Sequence, residues 1–377
     1  MKKIGILHTA FLGDLILTTL LIQALHEQNF KITLFTKKKC ENIFLNDPRI
    51  QNVVVVEKGK NFKRIQSWFQ IAHQINSQNC DVLLVPHKSL TSTMAAFLSK
   101  VKIKIGFQNA VGAFLYPLKV PFLKTQHECV RYLEFLHPSY FNMKSKDKFV
   151  QMGRPVLISH QKNLNPQVTE KENIIDFKNM DFDNHQSKHG SYFIVSLGTQ
   201  WETKKYPAQY YAEIVYEILS KNKNLSCELN VTQNENMDYE LFMISIKKLE
   251  IKNSFPVQDR ICNRLGKQTL SELSNCVSLA KFVLGNDSAL IHFAAGHNIP
   301  CVAIFGPTHP RFGFGPTSEK SLVISYENEH VVPLKCRPCS IHGQKKCPLK
   351  HHDCMQKISP KYVFKAIEKH GFLELTR

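Results

Sequence analysis

The sequence predicts an α/β protein built from two halves, each with a parallel, doubly wound sheet. Its 377 residues are more than a single domain of usual size needs. Short apolar runs alternate with helical patterns over residues 3–137 and again over residues 192–305, and such alternation is typical of strand–helix–strand units. Between them, residues 160–190 are polar and poorly periodic, so we interpret them as a linker with an insertion.

In the first half, strands and helices are predicted to alternate. Strands are expected at residues 3–8, 31–35, 53–56, 81–86 and 102–106, and helices at 14–28, 39–45, 62–76, 90–98 and 128–137. Residues 107–123 are apolar and contain Gly112, Pro117 and Pro121, so we expect a loop beyond the sheet. That loop either packs on the domain or partly faces a lipid or an acceptor.

The second half repeats this pattern. Strands are expected at residues 192–197, 226–231, 261–265, 281–285 and 301–305, and helices at 209–221, 236–249, 269–279, 289–295 and 360–370. Thr269 and Glu272 have the spacing of a helix capping box. We therefore divide the chain into a first domain (1–159), a linker (160–190), a second domain (191–359) and a C-terminal segment (360–377) that is expected to pack back on the first domain.

Composition narrows the classes of partner. The formal net charge is +18, which favours anionic partners such as phosphorylated substrates, acidic lipid surfaces or nucleic acid. The charge is spread along the chain without a long basic tail, which argues against a nucleic-acid-binding arm.

Residues 1–25 superficially resemble a signal peptide, but His8, Gly13 and Asp14 interrupt the apolar run. No run reaches the roughly 18 apolar residues of a membrane span, so we expect a soluble or peripheral protein.

The segment at residues 281–307 is the strongest candidate for a ligand site. Asp287 and Ser288 follow a predicted buried strand and open a short helix, with His292 one turn further on. Ligands of open α/β sheets lie beyond the carboxyl ends of strands, often at helix N-termini. The alternative interpretation is a capped helix with a partly buried histidine.

Two other segments have the same placement. Residues 198–207 bring Thr199, Thr203 and Lys204 between a strand and a helix, where hydroxyl, N–H and ammonium groups suit phosphates. The alternative for this segment is a solvated basic loop. Asp14 opens the first helix of the chain and is either a cap or a general base. The surrounding residues do not form a GxGxxG fingerprint, so nicotinamide binding is poorly supported.

Four motifs taken together resemble the bacterial lipopolysaccharide heptosyltransferases, the ADP-heptose-dependent glycosyltransferase family 9. They read LGDLILTTLLIQAL at 12–25, GTQWETKKYP at 198–207, LGKQTLSEL at 265–273 and GNDSALIHFAAGHNIPCVAIFGP at 285–307. The resemblance implies the GT-B fold, in which two Rossmann-like, doubly wound domains face a central cleft. It also implies that the donor nucleotide-sugar binds the C-terminal half and the acceptor binds the N-terminal half.

The resemblance also implies roles for residues in this chain. Asp14 matches the base that deprotonates the acceptor hydroxyl, and Lys204, beside Thr203, matches the lysine that neutralises the donor diphosphate. Asp287 matches the residue that holds heptose hydroxyls. Ser288 and the N–H groups after it lie near the phosphates, with His292 on the same helix. Ala289 stands where the family usually has glycine, which could displace the donor slightly or change the sugar preference.

These roles imply an inverting, in-line transfer of heptose from ADP-L-glycero-D-manno-heptose to the inner core of lipopolysaccharide, on a lipid A–Kdo or heptosylated core acceptor. Because Lys204 and a helix N-terminus can carry the diphosphate charge, no cofactor is expected for catalysis. The positive charge fits a cytoplasmic protein that is peripheral at the anionic inner face of the inner membrane, with no specific nucleic acid. The alternatives are a GT-B transferase that uses another nucleotide sugar for a different surface glycan, and a non-catalytic nucleotide- or nucleic-acid-binding protein.

A cysteine-rich segment lies at residues 336–354. Its cysteines, Cys336, Cys339, Cys347 and Cys354, could bind a structural zinc ion, form disulfides or remain free thiols. Only one CxxC pair is present, so the zinc prediction is not specific. The other seven cysteines are scattered singly among apolar residues, which is typical of cytosolic chains.

Overall fold

The computed structural model of the chain describes residues 2–59, 63–137, 141, 146–158, 191–232, 235–263 and 268–375. The linker predicted at 160–190 lies outside the described residues. Within them, the first half contains the strands β1 (Lys3–Leu7), β2 (Lys31–Thr36), β3 (Ile50–Val55), β4 (Val82–Val85), β5 (Ile103–Phe107) and β6 (Leu118–Val120). Its helices are α1 (Leu12–Leu17), α2 (Thr19–Glu27), α3 (Lys63–Ser77), α4 (Leu90–Leu98), α5 (Glu128–Tyr132) and α6 (Lys146–Met152).

The described part of the second half has a similar series of elements. Its strands are β7 (Ser191–Ser196), β8 (Leu225–Asn230), β9 (Ile261–Asn263), β10 (Val283–Asn286), β11 (Cys301–Phe305) and β12 (Ser321–Ser325). Its helices are α7 (Ala208–Lys221), α8 (Asn236–Asn253), α9 (Leu270–Leu279), α10 (Ala289–Gly296), α11 (Tyr326–Glu329), α12 (Asp353–Gln356) and α13 (Pro360–Lys369).

Each half has its own sheet, and neighbouring strands in both sheets are parallel. The strand orders are β3-β2-β1-β4-β5-β6 and β12-β11-β10-β7-β8-β9. The direction of winding therefore reverses between β1 and β4 in the first sheet and between β7 and β10 in the second. Such switch points open a crevice at the carboxyl ends of the strands, where ligands bind. The two doubly wound sheets confirm the predicted α/β class.

The halves meet through α1 and α10, which pack against each other. An added Cβ on Gly13 of α1 would lie 2.9 Å from Cδ2 of His292 on α10. A Cβ at that distance would force the His292 ring or the backbone to shift, so Gly13 allows the two helices to approach closely. The loop after β1 in one half is thereby held beside the loop after β10 in the other half.

The structure differs from the sequence predictions at several elements. The C-terminal helix α13 packs on α7 and not on the first domain as expected. The reason is that Val363, Phe364 and Ile367 are buried in the hydrophobic core of the second half. The sequence reading also missed the edge strands β6 and β12. Strand β6 lies inside the apolar loop at 107–123, where Tyr116 is buried but the Phe114 side chain is 81% exposed.

Other predictions agree with the structure. The capping box at the start of α9 is present, with the Thr269 hydroxyl accepting from the Glu272 N–H at 3.2 Å. Strand β11 has the predicted bounds, and α4 begins and ends at the predicted residues. Among the described residues, no helix has both the length and the apolar composition needed to cross a bilayer.

Candidate active site

A cavity of about 660 Å³ lies between the two halves and is lined by residues of both. We call it the interdomain cleft. It contains seven of the residues predicted from the sequence: Asp14, Thr199, Lys204, Asp287, Ser288, Ala289 and His292. They follow β1, β7 and β10, so the carboxyl ends of strands from both sheets face this one space. Thr203 does not line it.

Asp14 is the carboxylate that the first half contributes to the cleft. It lies in the first turn of α1, directly after the loop that follows β1. The pKa of Asp14 is raised to about 7, chiefly by burial and also by the nearby Glu128 carboxylate, while a hydrogen bond from the Phe11 backbone and the charges of Lys88 and Lys204 act in the opposite direction. A carboxyl group whose pKa lies near neutrality is suited to accept a proton from a substrate hydroxyl.

Lys204 and Asp287 form an ion pair in the wall contributed by the second half. Lys204 Nζ lies 2.6 Å from Asp287 Oδ2, and both side chains are largely buried. The Thr308 hydroxyl donates to the same Asp287 oxygen at 2.7 Å. Both of these groups bind the same Asp287 oxygen, and Lys204 retains ammonium protons for a second anion.

The start of α10 is open toward the cleft. Ser288 occupies the N-cap position, but its side chain makes no capping hydrogen bond. The buried Ser288 hydroxyl has no hydrogen-bond partner among the described residues. Because Asp287 is paired with Lys204, neither side chain satisfies the first N–H groups of the helix. The interpretation of both residues as simple caps is therefore wrong, and the helix end is available to an anionic group.

His292 lies on the first turns of α10 and is buried. Burial lowers its pKa to about 4, with the neighbouring His127 and Lys204 charges acting in the same direction. The imidazole is therefore neutral at physiological pH. Its Nδ1 atom is buried and has no hydrogen-bond partner in the part of the chain that the structure describes. His292 thus offers the cleft a neutral hydrogen-bonding group at the contact between the halves.

Thr203 performs a different task from the predicted phosphate contact. Its hydroxyl donates to the Gln344 carbonyl at 3.0 Å and accepts from the Gln344 N–H at 2.8 Å. The Thr203 carbonyl lies 2.7 Å from Nε2 of His352. Thr203 therefore links the cysteine-rich segment to the loop that bears Lys204. These hydrogen bonds help to fix the position of that loop and of Lys204.

Asn286 is a positioning residue that the sequence reading missed. Its Oδ1 accepts from the Tyr206 N–H at 2.9 Å and from the Tyr211 hydroxyl at 3.0 Å, while its Nδ2 donates to the Leu197 carbonyl at 3.0 Å. The side chain is completely buried. It links the end of β10 to the loop after β7, which sets Lys204 opposite Asp287. An asparagine next to the Asp-Ser pair was the only signal for it in the sequence.

Several further residues line the cleft, and little in the sequence indicated that they belong to the site. They are Phe11, Trp201, Glu235, Gln268, Phe314 and His342. Burial raises the pKa of Glu235, and its carboxylate fills the space where a side chain on Gly198 would stand. The glycine of the GTQWETKKYP motif therefore makes room for an acidic side chain that comes from the start of α8.

The four cysteines of the segment at 336–354 are free thiols in the structure. Cys336 Sγ lies 3.9 Å from Nε2 of His351. Burial raises the pKa of Cys354 to about 12, and the nearby Cys339 contributes to the rise. Among the described residues, no three His, Cys, Asp or Glu side chains converge as metal ligands do. These four cysteines form no disulfide in the structure, and the predicted structural zinc stays a prediction.

Comparison with known proteins shows similarity along most of the chain. The family model described as glycosyltransferase family 9 (heptosyltransferase) matches residues 68–343. A relative from Campylobacter jejuni, named lipooligosaccharide heptosyltransferase 2, is 28% identical over 170 residues, which are 44% of this chain and 46% of the relative. The match thus spans less than half the length of that relative. The Haemophilus influenzae protein of the same name is 22% identical over 344 residues, 85% of this chain and 88% of the relative.

A solved structure has the same fold. It is that of Escherichia coli ADP-heptose lps heptosyltransferase II, which superimposes with a TM-score of 0.70 at 18% identity and covers 99% of both chains. Similarity over the full length of both chains supports the predicted arrangement of two Rossmann-like domains around a central cleft.

Proposed function

The chain belongs to glycosyltransferase family 9, and from this premise we propose that it is an inverting heptosyltransferase that uses ADP-L-glycero-D-manno-heptose and extends the inner core of lipopolysaccharide. The observation that carries the proposal is a carboxyl group with a pKa near 7, Asp14, in the same cleft as the Lys204–Asp287 pair and an uncapped helix N-terminus. The two relatives described above are named heptosyltransferases, which agrees with the proposed sugar.

In the proposed reaction, Asp14 takes the proton of the acceptor hydroxyl as its oxygen attacks the anomeric carbon of the donor. The bond between that carbon and the β-phosphate oxygen breaks, and ADP leaves with the electron pair. Lys204 and the N–H groups at the start of α10 stabilise the charge that develops on the diphosphate. Asp14 and Lys204 come from opposite walls of the cleft, which supports in-line displacement with inversion.

Asp287 is the proposed contact to the heptose hydroxyls. In the structure its carboxylate pairs with Lys204. A diphosphate would compete for the lysine ammonium and release one carboxylate oxygen toward the sugar. The charge of the diphosphate is then balanced by Lys204 and the helix end, so we propose that catalysis needs no metal ion.

The acceptor is proposed to be lipid A–Kdo or a heptosylated core, reached at the anionic cytoplasmic face of the inner membrane. The net charge of +18 supports attraction to such a surface. The exposed Phe114 and Val111 side chains lie on the first half, the half that is proposed to hold the acceptor.

The test is a transfer assay with purified protein, ADP-heptose and a Kdo-lipid A acceptor. We expect ADP release that depends on the acceptor, a product heavier by one heptose, and no loss of rate in EDTA. Asp14→Asn should lower kcat by about 10²- to 10⁴-fold, the usual contribution of a general base. Full activity in that variant, or a wild type that releases ADP only at the background rate, would contradict the proposal.

A second donor is the alternative that a specific observation favours. Ala289 lines the cleft at the start of α10, where its methyl group narrows the space beside the diphosphate. Another nucleotide sugar could fit this shape better. Stronger thermal stabilisation by UDP than by ADP at equal concentration would favour that alternative, because ligand stabilisation follows affinity.

A further inference from the structure

Helix α8 of the second half has apolar side chains on two opposite sides. One side packs into the core of that half through Phe242 and Ile246, which are completely buried. The other side bears four apolar side chains that are between 41% and 76% exposed, namely Met237, Leu241, Ile244 and Ile251. None of these four lines the interdomain cleft. The function proposed above therefore does not account for them.

The exposed residues of α8 have the spacing of a helix–helix contact. Together with Lys248 they form one row whose members follow one another in steps of four, three, four and three residues. The same alternation defines the seam of a coiled coil, in which a single lysine fixes the alignment of the partner. We call this row the α8 stripe; it consists of Met237, Leu241, Ile244, Lys248 and Ile251. At the rise of an α-helix, it is about 21 Å long.

Covering the α8 stripe would leave the neighbouring polar groups satisfied. Beside it, the Ser245 hydroxyl donates to the Leu241 carbonyl at 2.8 Å. The Asp238 carboxylate is paired with Lys205 at 3.1 Å, and the Glu250 carboxylate accepts from backbone N–H groups beyond the end of the helix. A continuous apolar row on a surface marks an interaction site more often than chance exposure.

The remaining charges beside the α8 stripe change sign along the helix. Glu240 lies in the first half of α8, whereas Lys247 and Lys248 lie in the second. In the part of the chain that the structure describes, none of these three side chains forms an ion pair. A partner surface with the opposite order of charges is therefore favoured. A second α8 that runs antiparallel has this order.

The α8 stripe is symmetric about Ile244. Met237 and Ile251 each lie seven residues from it, and Glu240 and Lys248 each lie four residues from it. An antiparallel pair centred on Ile244 therefore sets Met237 of each chain opposite Ile251 of the other, and Glu240 opposite Lys248. The contact between carboxylate and ammonium forms twice, as a two-fold interface requires. A parallel pair would instead oppose like charges at both positions.

We propose that α8 pairs antiparallel with the α8 of a second copy of this chain, with Ile244 on the two-fold axis. The opposite charges determine the direction of the pair, and the apolar side chains supply the buried area. Because the α8 stripe is shorter than an interface of standard size, we expect a dimer that dissociates in the micromolar range. The pairing does not depend on which sugar the cleft binds.

Sedimentation velocity measures the pairing directly. Between about 1 and about 100 μM, the wild-type protein should shift from the 43.4 kDa of one chain toward twice that mass. Ile244→Glu sets two carboxylates face to face on the axis and should raise the dissociation constant by about 100-fold or more. Its circular dichroism and melting temperature should stay as in wild type, since Ile244 is exposed. Val331→Glu is the matched control, because Val331 is fully exposed outside α8 and should leave the dimer intact.

A charge exchange tests the direction of the pair. Glu240→Lys and Lys248→Glu should each weaken the dimer, because each sets two like charges opposite one another. The double variant restores opposite charges only in an antiparallel pair, so it should dimerise as strongly as wild type. In a parallel pair it would keep like charges opposed at both positions. A double variant that dimerises no better than the single variants would overturn the antiparallel pairing.

Two further outcomes would also overturn the proposal. One is a wild-type protein that keeps the mass of one chain at about 100 μM, or a dimer that Ile244→Glu leaves unchanged. The other is binding to phosphatidylglycerol vesicles that Ile244→Glu abolishes while no dimer forms in solution, because the α8 stripe would then dock on a lipid surface. If the dimer forms as expected and no heptose is transferred, the pairing holds and the proposed function fails.

Discussion

Replacing Asp14 by asparagine should inactivate the protein and at the same time stabilise it. The pKa of Asp14 is about 7 in the folded chain, against an ordinary value of 3.8. A raised pKa means that the folded state binds the proton more tightly than the unfolded state. Stability from this group is therefore fully present below pH 3.8 and is lost as the pH rises through 7. The difference between the two pKa values corresponds to at most about 4 kcal/mol above pH 7.

Urea unfolding at several pH values measures this effect. Asp14→Asn should match wild type near pH 4 and exceed its free energy of unfolding by one to several kcal/mol at about pH 8, with m-values unchanged. Asp147→Asn is the control, because Asp147 is exposed at the start of α6 and should show no such dependence. Equal stability of wild type and Asp14→Asn at pH 8 would refute the argument that Asp14 is a buried, destabilised carboxylate.

The same pKa sets the pH dependence of the reaction. A base must be deprotonated, so kcat/KM should rise with pH and level off above an apparent pKa of about 7. Two pH units below that pKa, about one carboxyl group in a hundred is ionised, and the rate should be roughly 100-fold below the plateau. A profile that is flat between pH 5 and pH 8 would show that Asp14 is not the group that takes the proton.

Three further changes test the walls of the cleft. Lys204→Met should abolish the thermal shift with ADP and lower kcat/KM by about 10²-fold or more, since it removes the charge at the diphosphate and leaves Asp287 unpaired; Lys31→Met, which should leave both unchanged, is the control. Gly13→Ala places a methyl group 2.9 Å from His292, so kcat should fall while ADP binding measured by calorimetry persists; an unchanged kcat would mean that the contact between the halves is not needed. Thr203→Val removes both hydrogen bonds that the hydroxyl makes to Gln344 and should raise the donor KM and lower the free energy of unfolding by about 1–3 kcal/mol. Thr203→Ser retains the hydroxyl and should behave as wild type.

Local sequence patterns were sufficient to predict which residues follow the strands and therefore lie at the carboxyl edges of the sheets. The loop that follows a parallel strand begins at the carboxyl edge of the sheet, which is why Asp14, Lys204 and Asp287 could be placed at one crevice. The pattern could not show which partner each side chain selects. Asp287 could be a cap or a ligand group, and only the 2.6 Å contact with Lys204 excludes the cap. Thr203 next to Lys204 has the same local pattern as Thr199, yet it bonds a segment more than a hundred residues away.

The sequence pattern was also insufficient to place the C-terminal helix, for a physical reason. Helix α13 has one strongly apolar face, which indicates burial but does not specify against which domain. Its placement depends on the shape complementarity of Val363, Phe364 and Ile367 with α7, and no local feature encodes that choice.

The proposed catalytic arrangement draws on both halves. Burial raises the pKa of Asp14, and the charge of Lys204 on the far wall is one of the influences that keep it from rising further. In the proposed reaction, the negative charge of a bound diphosphate would offset that of Lys204, so the lysine would stabilise the Asp14 carboxylate less and the carboxyl group would become a stronger base. Departure of ADP would reverse the change and favour release of the proton to water.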